Sequence, residues 1–215
     1  MVTLRGNKNF KSENLLAYEF GYRIQSSSRY SLDLATFFNR YNHLGNYEPN
    51  APYIETVPVP HVVTPYNFDN LLQAKTYGAE IVARWEVMEH WRLSANETLL
   101  QVTPHLDRSS ARETVEKTIN DNPRHQFSVR SYLKLLRNLE FDTLLFRVGR
   151  LSGNQIPAYT RFDLRLNWQL SESLELNVGG QNLSGRRRPE FDGTSQALRS
   201  SEIRPSVYGK LTWRF

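Results

Sequence analysis

Residues 157 to 183, PAYTRFDLRLNWQLSESLELNVGGQNL, alternate in polarity strictly enough to dictate how they fold. From Phe162 the apolar side chains take every second position: Phe162, Leu164, Leu166, Trp168 and Leu170. Asp163, Arg165, Asn167 and Gln169 fill the places between them. After Ser171-Glu172-Ser173 the rhythm restarts, with Leu174, Leu176 and Val178 set against Glu175, Asn177 and Gln181. A period of two belongs to the extended strand, whose side chains alternate between its faces. Two such runs joined by a short polar turn predict an antiparallel hairpin. One of its faces is wholly apolar, and the other is polar and partly charged. That contrast suits a half-buried sheet of a soluble sandwich, or a membrane barrel wall with lipid outside and water inside.

The same alternation recurs along the chain. Leu16, Tyr18, Phe20, Tyr22 and Ile24 share one face, and after the turn at Ser26-Ser27-Ser28 so do Tyr30, Leu32, Leu34, Thr36 and Phe38. A third hairpin sets Tyr77, Ala79, Ile81, Ala83, Trp85 and Val87 before a turn near Met88-Glu89-His90, with Trp91, Leu93 and Ala95 after it. A fourth pairs residues 125 to 136 with 139 to 149 around Arg137-Asn138, and Leu144-Leu145-Phe146 suggests a bulge or a face filled on both sides. Residues 205 to 215 form a last strand with Val207, Gly209, Leu211, Trp213 and Phe215 on one face.

Between the hairpins the pattern breaks. Residues 44 to 70 hold Pro49, Pro52, Pro58, Pro60 and Pro65, each lacking a donor that a central strand needs, so a long loop is expected there. Residues 104 to 124 read as a second long loop, admitting a helical turn over Ala111 to Thr118, and residues 184 to 204 as a third. Ser152-Gly153-Asn154 gives a shorter connection, and all ten prolines are expected in loops or at strand starts. The result is an all-β antiparallel meander of about nine strands whose connections alternate tight and long, the arrangement of an outer-membrane barrel. Trp85, Trp91, Trp168 and Trp213 then gather at the tight-turn end as an aromatic girdle, with Tyr22 and Tyr30 flanking the first tight turn. The sandwich reading would make these tryptophans ordinary core residues.

Composition narrows the chemistry. Mean hydropathy is −0.57 and no apolar run approaches the ~20 residues of a spanning helix, which leaves an alternating barrel untouched. There is no cysteine, hence no disulfide and no thiolate metal site. The net charge of +5 is concentrated only at Arg186-Arg187-Arg188, and no nucleic-acid partner is expected. No phosphate loop, nucleophile elbow or paired metal-ligand histidines appear, since His43, His61, His90, His105 and His125 are scattered. Asp163, Glu175 and Glu19 are expected on the polar face, solvated and paired with Arg165, Arg23 or Arg130. No enzymatic activity, metal or cofactor is anticipated. The first residues, MVTLRGNKNFKSEN, have neither an apolar core nor a small-residue cleavage site, so any export signal is expected upstream of a fragment.

Five stretches carry a family resemblance: ENLLAYEFGYR at 13 to 23, TYGAEIVARWEVMEHWRLSAN at 76 to 96, NPRHQFSVRSYL at 122 to 133, IPAYTRFDLRLNWQLSESLELNVGGQNL at 156 to 183 and PSVYGKLTWRF at 205 to 215. In this order and spacing the whole chain resembles the C-terminal part of the β-barrel of a TonB-dependent outer-membrane receptor. The resemblance implies a 22-stranded barrel, a plug domain in its lumen, and active uptake of a ferric siderophore, cobalamin or another scarce solute. It implies outer-membrane lipid as surroundings, the TonB complex as a partner through the plug, and the barrel-assembly machinery as reader of Trp213 and Phe215. The plug and the first part of the barrel are expected outside these 215 residues. An open nine-stranded sheet would leave two unpaired edges in lipid, so this segment is not expected to transport by itself. Solute contacts are expected from the long loops, through Tyr47, Tyr53 and Tyr66 in the first and Arg186, Arg187 and Arg188 in the last. A non-transport outer-membrane barrel with an adhesive or structural role, and a soluble β-sandwich binding module, are the alternatives.

Overall fold

The computed structural model describes residues 1–111, 122–151, 156–185, 188–191 and 201–215. The alternating runs become strands where their spacing places them: β1 (Val2–Arg5), β2 (Asn14–Ser27), β3 (Tyr30–Pro49), β4 (Tyr53–Glu55), β5 (His61–Met88), β6 (Trp91–Leu106), β7 (His125–Leu136), β8 (Leu139–Val148), β9 (Tyr159–Gln169), β10 (Leu174–Gln181), β11 (Arg188–Phe191), β12 (Ser201–Ile203) and β13 (Ser206–Trp213). Nine of them make one sheet in the order β13-β10-β9-β8-β7-β6-β5-β3-β2, the meander expected from the alternation. β1 and β4 add to the early part of β5, and β11 pairs with β12 apart from the main sheet. The main sheet is not closed, and its path ends at β13 and β2.

Register sorts the side chains by face. Trp91 lies opposite Leu133, Leu133 opposite Phe141, Phe141 opposite Leu166, and Leu166 opposite Val178. Directly opposed residues share a face, so one apolar surface runs continuously from β6 to β13. One residue along, Arg92, Tyr132, Asp142, Arg165, Gly179 and Tyr208 form the matching row on the polar surface.

Contacts divide the chain into two units: Met1–Glu19 with Phe37–Tyr77 and Gln101–Asn120, and Phe20–Thr36 with Gly78–Leu100 and Asp121–Phe215. Among the described residues, the first buries the apolar side chains Val63, Leu72 and Ala74, and the second buries Val148 and Ile156. So small a core excludes two sheets packed face to face, which would bury one whole face of each strand. Instead Leu16, Phe20, Tyr22, Trp85 and Trp213 stand between 49% and 70% exposed.

The prolines mark where the sequence reading departs from the structure. β3 continues to Pro49 and β5 starts at His61, so most of residues 44 to 70 is strand rather than loop. Pro65 lies inside β5, where it still offers its carbonyl to the Asn50 N–H at 2.9 Å. Pro104 lies inside β6, beyond Leu99, the last β6 residue paired with β7, where a missing donor breaks no bond of that ladder. Residues 184 to 204 likewise contain β11 and β12, with Pro189 opposite Glu202. The β7–β8 register runs unbroken through Leu144 and Phe146, which fall on the polar face opposite Arg130 and Ser128. That segment therefore fills both faces, and the irregularity sits at Lys134 to Leu136 beside the turn. The helical turn proposed over Ala111 to Thr118, past Ala111, and the Ser152-Gly153-Asn154 connection lie outside the described residues.

Candidate functional site

Two surfaces and one strand-end cluster carry the chemistry. On the polar surface of the second unit, Arg165 Nε donates to Asp142 Oδ2 at 2.9 Å across the β8–β9 ladder. Arg161 holds Asp163 bidentately at 2.8 and 2.5 Å, and Asp163 also accepts the Asn182 N–H at 2.9 Å. Arg214 approaches Glu175 at 3.5 Å, and Arg23 pairs with Asp33. Of the carboxylates expected to be paired, Asp163 and Glu175 are, with Arg161 and Arg214 rather than the anticipated partners, and among the described residues Glu19 forms no ion pair. Arg165 takes Asp142 rather than Asp163, because cross-strand register and not sequence proximity decides which groups meet. Arg130 instead donates to Tyr132 Oη at 2.9 Å, and Arg92 lies over the same ring at 4.7 Å.

Gly179 makes room in this row. A Cβ there would lie 2.4 Å from the Tyr208 ring, so only glycine lets Tyr208 lie across the strand. The resulting recess of about 280 Å³ is lined by Arg130, Tyr132, Asp142, Asp163, Arg165 and Tyr208. It is shallow, polar and charged, with no nucleophile–base pair. Among the described residues no cluster of His, Asp or Glu is arranged to hold a metal ion.

On the apolar surface the four tryptophans lie beside tight turns. Trp85 and Trp91 flank the turn at Glu89-His90, Trp168 is opposite Leu139 next to the Arg137-Asn138 turn, and Trp213 is opposite Leu174 next to Ser171–Ser173. Trp91 Nε1 donates to Ser131 Oγ at 2.9 Å, satisfying the indole on an otherwise apolar face. Phe215 is fully exposed, 6.2 Å edge-on from Trp213.

At the other ends of the strands, Tyr47 lies in β3, Tyr53 in β4 and Tyr66 in β5, so none occupies an irregular loop. Tyr47 is 5.3 Å from Phe68, which stacks on Phe10 at 4.4 Å. Tyr53 is exposed, and Tyr66 is half-buried opposite Leu4. Arg186 and Arg187 lie outside the described residues, and Arg188 begins β11. Sequence reasoning missed Glu48, which is buried and accepts from Ser110 Oγ at 2.6 Å, the Ala111 N–H at 2.7 Å and Asn46 Nδ2. It fastens residues 107 to 111 onto β3. Asp107 caps the same segment: the Ser109 hydroxyl and N–H donate to its carboxylate and hold its pKa below the ordinary carboxylate value.

The family model described as TonB dependent receptor-like, beta-barrel matches residues 2–183. No curated protein sequence matches the chain. Among solved structures, a variant of the ferric enterobactin receptor PfeA of Pseudomonas aeruginosa is similar with a TM-score of 0.72 and 19% identity, covering 99% of this chain and 32% of that one. The siderophore receptor PirA of Acinetobacter baumannii is similar at 0.71 and 14%, covering 99% and 33%. The ferric yersiniabactin uptake receptor FyuA of Yersinia pestis is similar at 0.62 and 18%, covering 93% and 29%. The chain thus spans about a third of the length of these receptors.

Proposed function

The chain belongs to the TonB-dependent receptor-like β-barrel family, and from that premise we propose that it is the C-terminal barrel portion of an outer-membrane uptake receptor for a scarce solute of the ferric-siderophore or cobalamin kind. The observation that carries this reading is the two-faced register across six strands, interrupted only beside the β7–β8 turn among the described residues, apolar and unpacked on one side, polar and ion-paired on the other. An apolar surface left open in water would drive aggregation, whereas in a bilayer it is the surface that lipid wets. The polar surface then lines the lumen, facing a plug domain and joined to further barrel strands. Membership of the family implies the plug and the TonB complex that acts on it.

The tryptophans at the tight turns mark the periplasmic rim, and Trp213 with Phe215 serves the barrel-assembly machinery. The long connections lead outward, where Tyr47, Tyr53, Tyr66 and the arginines at 186 to 188 meet the solute. Similarity to receptors for ferric enterobactin and ferric yersiniabactin favours an iron chelate. Uptake of radiolabelled ferric siderophores and of radiolabelled cobalamin, in cells with and without the gene, tests this. Energy-dependent import of one class that disappears with the gene is expected. Unchanged import of both would contradict it.

A further inference from the structure

His61 and Glu55 form a polar pair beside the turn between β4 and β5 that the uptake reading leaves unused. Both belong to the first unit, and they are the opposed residues nearest the turn in the β4–β5 ladder, so their side chains share a face. His61 Nδ1 lies 2.7 Å from the Val59 carbonyl. A carbonyl only accepts, so the proton of the neutral ring sits on Nδ1 and Nε2 presents its lone pair. Pro58 and Pro60 flank Val59, and Pro60 holds it to extended backbone, which sets that acceptor in place before any ligand arrives. Nε2 is buried and has no hydrogen-bond partner, although Glu55 Oε2 is only 3.4 Å away.

Two acceptors facing each other repel unless positive charge stands between them. A proton on Nε2 would draw the carboxylate in to the roughly 2.7–2.9 Å of a charge-assisted hydrogen bond, and the gap here is wider. It matches the edge of a tetrahedral zinc site, where ligands about 2.0–2.2 Å from one ion stand roughly 3.4 Å apart. A metal-bound histidine also donates its other ring N–H to a carboxylate or a backbone carbonyl, as His61 does to Val59. We propose that His61 Nε2 and Glu55 Oε2 bind a divalent transition-metal ion of the zinc class, which clips β4 to β5. Imidazole nitrogen with carboxylate oxygen suits Zn²⁺ rather than Ca²⁺ or Mg²⁺, which take oxygen ligands. Among the described residues no third His, Asp or Glu joins this pair, so water completes the coordination and the ion exchanges with solution. The Glu55 side chain is 50% exposed and gives the ion its way in. The site lies wholly on two adjoining strands and depends neither on the membrane assignment nor on the imported solute.

The test uses the complete receptor in detergent, stripped with a chelator and dialysed against Zn²⁺ at submillimolar concentration. Bound metal is counted by atomic emission, and the histidine rings are followed by NMR in protein labelled at the ring nitrogens. Wild type is expected to hold one more Zn²⁺ than His61→Asn. The ring signal that His61→Asn removes is expected to shift at Nε2 when Zn²⁺ is added, while Nδ1 keeps its proton. Glu55→Gln is expected to weaken binding of that ion by about tenfold or more. Mg²⁺ at the same concentration is expected to leave the Zn²⁺ in place. Heat-modifiable gel mobility confirms that each variant has folded. Zinc content unchanged in His61→Asn, affinity unchanged in Glu55→Gln, displacement by Mg²⁺, or a His61 ring that answers to acid but not to Zn²⁺ would each overturn the proposal.

Discussion

Leu164 and Arg165 are chain neighbours with opposite surroundings, so substituting each isolates the face assignment. Leu164 lies on the apolar surface between Thr143 and Gly180, four residues up β9 from Trp168. At ~3.3 Å per residue and about 40° of tilt this places it roughly 10 Å above the tryptophan rim, close to the middle of a ~25 Å band. Leu164→Arg should therefore cost about 2–4 kcal/mol, the penalty for a cation at the midplane. Arg165→Leu removes the link to Asp142 on the water-facing side, where the Arg165 side chain is 46% exposed. An ion pair that open is worth at most about 1 kcal/mol. Leu166→Arg, nearer the rim, should fall between the two. Denaturant unfolding of the assembled receptor in lipid vesicles, with heat-modifiable mobility as the folding readout, gives all three values. A Leu164→Arg cost no larger than that of Arg165→Leu would refute the assignment of lipid and lumen faces.

Three further outcomes follow from local geometry. Glu48→Gln replaces one of the two carboxylate oxygens that accept from the Ala111 N–H and the Ser110 hydroxyl with a donor, at about 1–3 kcal/mol, and amide hydrogen exchange across residues 109 to 111 should accelerate. Gly179→Ala displaces only the far end of the Tyr208 ring, so its cost should stay below the ~1–3 kcal/mol of an overpacked core, while the Tyr208 ring resonances shift. Because Ser109 depresses the Asp107 pKa, the stability this contact contributes is present above the carboxyl's unfolded pKa and is lost as pH falls through the lower folded value. Ser109→Ala should move the Asp107 carboxyl midpoint upward in an NMR titration, and an unmoved midpoint would show that the cap does not set it.

Much of the fold was legible because alternation is a local signal. The run from Phe162 to Leu170 declares its own faces, and register then carries them from strand to strand. The prolines misled because proline's cost depends on whether the missing donor had a partner. Pro65 stays in register with Thr3 of β1 and accepts from Asn50 through its carbonyl, and Pro104 lies beyond the β6–β7 ladder, so residues that look like loop are extended. β5 alone covers 28 residues. At ~3.3 Å each that is about 90 Å, far more than a ~25 Å membrane band requires, which is why Tyr47 and Tyr66 sit on strands. Nothing local could reveal Glu48, whose partner Ser110 lies 62 residues away. The pairing of Arg165 with Asp142 rather than Asp163 is likewise a product of register. Leu144 and Phe146 were ambiguous because the polar face of β8 holds apolar side chains there.

Which ends of the strands face the outside decides the assignment of rims, and the absence of cysteine from these 215 residues lets single cysteines report it directly. Asn50→Cys lies just beyond β3 at the long-connection end, and Glu89→Cys lies in the tight turn between β5 and β6. In intact cells a bulky membrane-impermeant maleimide should label Asn50→Cys, and should label Glu89→Cys only once the outer membrane is opened. Labelling of Glu89→Cys in intact cells, with Asn50→Cys protected, would contradict the account.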